Sequence, residues 1–244
     1  MALEVLWLLV IGVFAIAVLY SAVGHAGASG YIAVMSLLSI APDVIKPTAL
    51  SLNILVASIA TWQFFKAGHF SWALFWPFAL LAVPFAFVGG HFNLPAHLFK
   101  VILGVVLIYT AIRFLFQSKQ SLQVHEPPRS LALASGAGIG FLSGLTGTGG
   151  GIFLTPLLLF MGWADAKKAA AVSALFVLVN SISGLAGNFS ATKSLPPFII
   201  SLLIAAALGG CIGSYTGSRL IQSAAIKKLL AIVLLIAGFK LIFT

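Results

Sequence analysis

The chain has 244 residues, 61% of them hydrophobic and 7% charged, where a soluble domain of this size carries about a quarter charged residues. Apolar runs succeed one another with hardly a polar face between them, which excludes a soluble helical protein and implies an all-α integral membrane protein. The net charge of +9 sits in short loops, where the orientation rule for membrane proteins accounts for it, so the expected partner is the lipid bilayer and not nucleic acid.

The N-terminal stretch has no basic n-region and carries Glu4 as its only early charge, so a membrane helix over 3–23 is expected there in place of a signal peptide. Further apolar segments follow at 29–41, 46–65, 72–90 and 97–116, then at 131–146, 151–163, 167–187, 197–216 and 225–243. Those at 29–41 and 151–163 are too short to cross a bilayer comfortably, because a span takes about 20 residues. The polar, proline-containing stretch "QSKQSLQVHEPPRS" (117–130) is the one clear linker.

The two sides of that linker resemble each other. A shift of 122 residues lays Gly27 on Gly149, Lys46 on Lys168, Ser51 on Ser173 and Ser58 on Asn180. The expected architecture is therefore a first membrane repeat (1–116), a cytoplasmic linker (117–130) and a second membrane repeat (131–244), each repeat built of about five helical segments. An odd number of segments per repeat inverts the second copy. Lys66, Arg113, Lys119, Arg129, Lys167, Lys168, Arg219, Lys227 and Lys228 fall on one side, against Lys46, Lys100, Lys193 and Lys240 on the other. The basic-rich side is expected to be cytoplasmic, with both termini outside, in a multi-pass protein of the bacterial plasma membrane.

Two glycine-rich stretches interrupt this pattern: "VGHAGASGY" (23–31) and "GLTGTGGGIFLTP" (144–156). Non-helical backbone at membrane depth is tolerated only where it is buried in protein or lines a cavity. Short or broken helices at two ordered turns near the midplane are therefore expected. A turn that opens a helix presents free N–H groups and the positive end of the helix dipole. Glycine lets an anion approach that backbone closely. Gly27, Gly149, Gly150 and Gly151 are the backbone candidates for an anion site, with Ser29, Thr146 and Thr148 as hydroxyl donors. Asn53 and Asn180 add amides, and a buried amide needs several partners. The competing account of such residues is helix packing through small side chains and interhelical hydrogen bonds.

His25, in the first turn, is a functional candidate because it is a titratable group at membrane depth. It is the candidate for proton coupling, since the span cores hold no Asp or Glu. No metal-ligand cluster, Walker motif or cofactor motif is written in the chain, so neither metal nor cofactor is expected. The single cysteine, Cys211, implies no disulfide. "GASG" (27–30) also matches the nucleophile motif of rhomboid-type intramembrane serine proteases, with Ser29 as nucleophile. The required histidine setting on a later helix is not matched by "AHLFK" (96–100). The alternatives to a transporter are that protease and a passive anion channel.

The segment "GLTGTGGGIFLTPLLLFMGWADAKKAAAVSALFVLVNSISGLAG" (144–187) resembles the sulfite exporter TauE/SafE family of membrane transporters. The likeness is carried by the glycine turn, Pro156, the short loop with Lys168 and the Ala/Ser-rich helix. The first half departs from it, keeping Gly27 and Gly30 but lacking the triple glycine and the proline. The resemblance implies a helical secondary transporter of two related halves that moves small sulfur-containing or carboxylate anions such as sulfite, sulfonates or sulfoacetate by alternating access. Import or export is not implied, and homo-oligomerisation is compatible with it.

Overall fold

The computed structural model describes residues 3–92, 108, 111–112, 124–187 and 195–243; the side chains of 42–43, 237 and 240–243 lie outside that description. The segment expected at 97–116 and most of the linker fall outside it as well. Nine helices are formed among the described residues: α1 (Leu3–Ser21), α2 (Ala28–Leu37), α3 (Pro42–Lys66), α4 (Trp72–His91), α5 (Arg129–Thr146), α6 (Gly151–Phe160), α7 (Ala166–Gly187), α8 (Ile199–Tyr215) and α9 (Ser223–Phe243). A π-helical turn, Thr216–Leu220, ends α8. Five of these stretches are long and apolar enough to cross a membrane: Leu3–Ser21, Val44–Lys66, Trp72–His91, Ala166–Gly187 and Ile199–Leu220.

The two expected short segments are helices of 10 residues each, α2 and α6. At 1.5 Å per residue each rises about 15 Å, half of a hydrocarbon core. α3 starts where Ala41 leaves the helical region and Pro42 takes a first-turn position that needs no N–H. At the start of α4 the Ser71 hydroxyl accepts the Leu74 N–H at 3.4 Å, the usual use of serine at a helix N-terminus.

The packing crosses between the halves. α1 packs along α8, α4 along α5, and α3 against α7; α3 also meets α8 as α4 meets α7. Exchanging the first four helices with α5–α8 leaves this set of pairs unchanged. Two glycine seams make close backbone contacts. On α5, Gly136, Gly140 and Gly144 lie against the backbone carbonyls of Phe78, Ala82 and Ala86 on α4. Gly209 and Gly213 on α8 and Gly217 in the π-helical turn lie against those of Phe14 and Val18 on α1 and of Ala22 just after it. Numbers rise together along both pairs, so each pair runs parallel. A Cβ at these glycines would collide with the opposing backbone, which is the small-residue packing expected where lipid supplies no hydrophobic drive.

α3 and α7 run antiparallel. Asn53 meets Ser181, while Phe64 clusters with Ala170 and Ala171. α7 is the most enclosed span, 67% buried against 22% for α1, so the α3–α7 pair forms the centre of the molecule. The periphery is apolar, with Leu8, Ile11, Ile204 and Leu208 exposed as lipid-facing surface. Trp62, Trp72 and Trp76 gather at the α3–α4 corner, where the Lys66 ammonium sits 4.6 Å above the Trp62 ring. Tryptophan beside lysine is the pattern of a membrane–water interface.

Candidate functional site at the two glycine turns

The α1–α2 connection reverses through Gly24 and Gly27, and the α5–α6 connection through Gly147, Gly149 and Gly150. Gly149 and Gly150 have φ of +77° and +82°, the left-handed region that costs any residue with a Cβ. There is no room for one either. A Cβ on Gly149 would stand 2.7 Å from Val177 Cγ1 and 2.8 Å from Asn53 Nδ2. The sequence breaks helix here because the backbone must turn inside a packed interior.

The two turns meet on Asn53. Its Oδ1 accepts the Ala28 N–H at 2.9 Å, so an α3 amide does for α2 what a capping side chain would do. Its Nδ2 donates to the Thr148 carbonyl and to the Ser181 hydroxyl, each at 3.3 Å. A single buried amide thus ties the first turn, the second turn and α7 together. Asn53 is a clamp with its polar atoms engaged.

His25 is also buried and reaches across the halves. Its Nε2 lies 2.8 Å from Thr155 Oγ1, and the Thr155 hydroxyl donates to Ser173 Oγ at 2.7 Å. With the threonine proton committed to Ser173, Nε2 carries the imidazole proton and donates to Thr155, leaving Nδ1 bare. Nδ1 makes no hydrogen bond, and the ring lies against Gly151, where a Cβ would stand 3.2 Å from Cδ2.

Ser29 is buried and donates to the Tyr20 hydroxyl at 3.2 Å. His25, four residues before it, is engaged with Thr155 and not with Ser29, and His97 of "AHLFK" lies outside the described residues. Thr146 donates to the Leu142 carbonyl and stands 2.9 Å from the Thr148 hydroxyl, so these two donors form a pair flanking Gly147. Ser51 and Ser58 donate to Pro47 and Ile54 of their own helix, and Ser58 is exposed. The two α3 serines that the 122-residue shift lays on Ser173 and Asn180 therefore turn back onto their own helix, while Ser173 and Asn180 of α7 are fully buried.

Asn180 differs from the other candidates. It is fully buried, yet neither Oδ1 nor Nδ2 has a partner. The Ser143 hydroxyl and the Thr48 hydroxyl are buried and unpartnered too. Ser143 and Phe176 flank Gly150, with Ser143 Cβ at 3.2 Å and Phe176 Cε1 at 2.9 Å from a Cβ placed there. Asn180 follows Phe176 by one turn on the same face of α7. Buried amides are almost always hydrogen-bonded, because stranding one costs about 1–3 kcal/mol per group. Asn180 and Ser143 carry that cost beside the second turn.

Ser143, Thr48, Thr155 and Ser181 were not singled out by sequence. Thr155 lies in an apolar run and Ser143 among glycines, so each reads as packing until its neighbours are placed. Lys46, expected in a loop, lies inside α3, where its stem covers Gly147 with Cγ 3.0 Å from a Cβ there. The residues before it, from Pro42, extend the helix outward by a turn. Among the described residues no group of His, Cys, Asp or Glu converges to hold a metal.

Comparison with known proteins places this geometry. The chain is 43% identical over 240 residues to the "Probable membrane transporter protein y4hK" of Sinorhizobium fredii, covering 96% of this chain and 97% of the relative. It is 28% identical over 114 residues to the "Probable membrane transporter protein YunE" of Bacillus subtilis, covering 47% and 41% respectively. No solved structure matches it. The family model described as "Sulfite exporter TauE/SafE" matches residues 8–241, both turns and both seams included. The chain is a multi-pass membrane transporter belonging to the TauE/SafE sulfite exporter family.

Proposed function

We propose that the protein is a secondary transporter of the bacterial plasma membrane that moves a small sulfur-containing or organic anion, such as sulfite, a sulfonate or sulfoacetate, by alternating access. The observation that carries the site is the unpartnered Asn180 amide beside the Gly149–Gly151 turn. An oxyanion is all acceptor. It would take the Asn180 Nδ2 donor, the Ser143 hydroxyl and the N–H groups that open α6, and would bind at the positive end of that helix's dipole. Oδ1 of Asn180 would then serve a water or the proton of a partly protonated anion.

Alternating access needs two related halves that can exchange roles across the membrane. The crossed helix pairs and the antiparallel run of α3 and α7 support an inverted repeat, with each half-length helix beginning beside the other turn. The proton-coupling role falls to His25, whose Nδ1 makes no hydrogen bond and which is wired through Thr155 to α7. A protonated His25 would add positive charge beside the anion.

The test is counterflow in proteoliposomes. Vesicles loaded with unlabelled sulfite should transiently accumulate labelled sulfite from outside, and sulfonates or sulfoacetate should compete. Flux that follows the gradient without overshoot would identify a channel instead.

A further inference from the structure

Two lysines lie near the starts of α3 and α7, at opposite ends of the central helix pair, although the 122-residue shift lays Lys46 on Lys168 and not on Lys167. Lys46 lies one turn into α3, and Lys167 opens α7. The Lys46 ammonium is 3.5 Å from the carbonyl oxygen of Gly90, the penultimate residue of α4. The Lys167 ammonium is 3.4 Å from the carbonyl oxygen of Ser218 in the π-helical turn that ends α8, which also accepts the His69 Nε2–H at 2.9 Å. Each half thus points a lysine from the start of its third helix to the end of its fourth.

The helix start that carries each lysine also touches the other half's turn. The Lys46 stem covers Gly147. Lys167 precedes by one turn Ala170, whose backbone lies against Gly24. Because α3 and α7 are antiparallel, with Phe64 level with Ala170 and Ala171, Lys46 and Lys167 are about 20 residues of helix apart. That is roughly 30 Å, the thickness of a hydrocarbon core.

Neither ammonium is well served where it rests. Both contacts exceed the usual 2.7–3.2 Å of an N–H···O bond, and an ammonium has three donors to place. Among the described residues neither lysine has a carboxylate partner. Asp165 does not neutralise Lys167, since its Oδ1 takes the backbone N–H groups of Lys167 and Lys168 at 2.9 Å. The Asp43 side chain lies outside the described residues. Both lysines are part-buried, held by the negative end of a helix and facing the approach to a glycine turn.

We propose that Lys46 and Lys167 are the anion-attracting residues of two mouths, one on each side of the membrane, each delivering substrate to the central turns from its own face. This rests on the anion-transport function proposed above. It adds a side-specific role for each lysine: the ammonium leaves its carbonyl for the incoming anion, and the opposite lysine serves the opposite-facing state.

The experiment has one arm without transport and one with it. In a Cys211→Ser background, Lys46→Cys and Lys167→Cys should react with a membrane-impermeant maleimide from opposite faces, read in intact cells and inside-out vesicles. In the same background Thr146→Cys, beside Lys46, should react several-fold more slowly with an anionic sulfonatoethyl thiosulfonate once Lys46→Gln is added, while a neutral reagent is unaffected. In oriented proteoliposomes Lys46→Gln should raise the half-saturating sulfite concentration about tenfold on its own face only, Lys167→Gln should do so on the other, and the arginine variants should restore both. Labelling from one face, an anionic rate that Lys46→Gln leaves unchanged, or a shift equal on both faces overturns the proposal. A wild-type protein that moves no sulfite, with both thiol arms as expected, overturns the choice of substrate and leaves the two mouths standing.

Discussion

His25 and Thr155, 130 residues apart in the chain, are joined by a hydrogen bond of 2.8 Å that fastens the first turn to the second short helix. The bond fixes the imidazole tautomer and keeps Nδ1 bare, which is the atom a coupled proton would take. A monovalent anion leaving a cell with negative interior gains about 2.3 kcal/mol per 100 mV, so export runs on voltage alone and concentrative uptake needs another ion. His25→Gln keeps the size and a donor and cannot titrate. It should retain voltage-driven efflux and lose accumulation under an imposed pH gradient in proteoliposomes. Undiminished accumulation would show His25 to be structural.

Thr155→Val tests the same relay by its stability. The substitution strands the His25 Nε2–H and leaves the Ser173 hydroxyl without its donor, both buried. It should destabilise the protein by about 1–3 kcal/mol, read as a lower unfolding midpoint in detergent. An unchanged midpoint would mean that the hydrogen-bond chain contributes nothing to the fold.

Asn180→Leu should separate stability from function. In the unliganded protein the substitution removes two buried polar groups that no protein group satisfies, so the unfolding midpoint should rise, by an amount corresponding to about 1–3 kcal/mol. Sulfite binding by the same purified protein should be lost. A structural Asn180 would give the reverse pattern, with a lower midpoint and binding retained.

Gly150→Val meets both a left-handed backbone and the Phe176 ring. The backbone strain alone is on the order of 1–3 kcal/mol. The expected outcome is protein that still elutes as a single peak, melts earlier and binds no sulfite. Full affinity in a folded Gly150→Val protein would reduce the turn to a packing device.

Much of this was legible in composition and spacing. Glycine runs within apolar sequence located both turns, and the helices that follow them are three residues shorter than the apolar runs at 29–41 and 151–163. Asn180 stood out because an amide is costly to bury. What sequence did not show was pairing across the halves. Asn53 looked like a ligand donor but clamps Ala28, Thr148 and Ser181, a role set by three segments far apart in the chain. Ser51 and Ser58 share helical spacing with Ser173 and Asn180, yet turn back onto their own carbonyls; spacing fixes a common face and not what that face meets. Lys46 was counted as loop charge because a lysine at the edge of an apolar run looks the same one turn inside a helix as outside it.

Orientation makes its own demand. Glu126, exposed before α5, and Leu195, exposed before α8, fall on opposite faces if the charge bias sets the topology. Glu126→Cys should label only in inside-out vesicles and Leu195→Cys only in intact cells, each without Cys211. Labelling of both from the same side would dismantle the inverted arrangement and the two mouths with it.

The seam between α1 and α8 has a consequence for how the molecule is made. α1 ends at Ser21 and α8 begins at Ile199, so about 180 residues must be translated before the glycine face that receives α1 exists. At 5–20 residues per second this is a wait of roughly 10–40 s. Throughout it α1 sits in the bilayer with its ridge of carbonyls facing lipid or the insertion machinery. α4 receives its partner α5 after a much shorter delay. The newborn chain therefore matures from its middle outwards, and the first helix to enter the membrane is among the last to find its place.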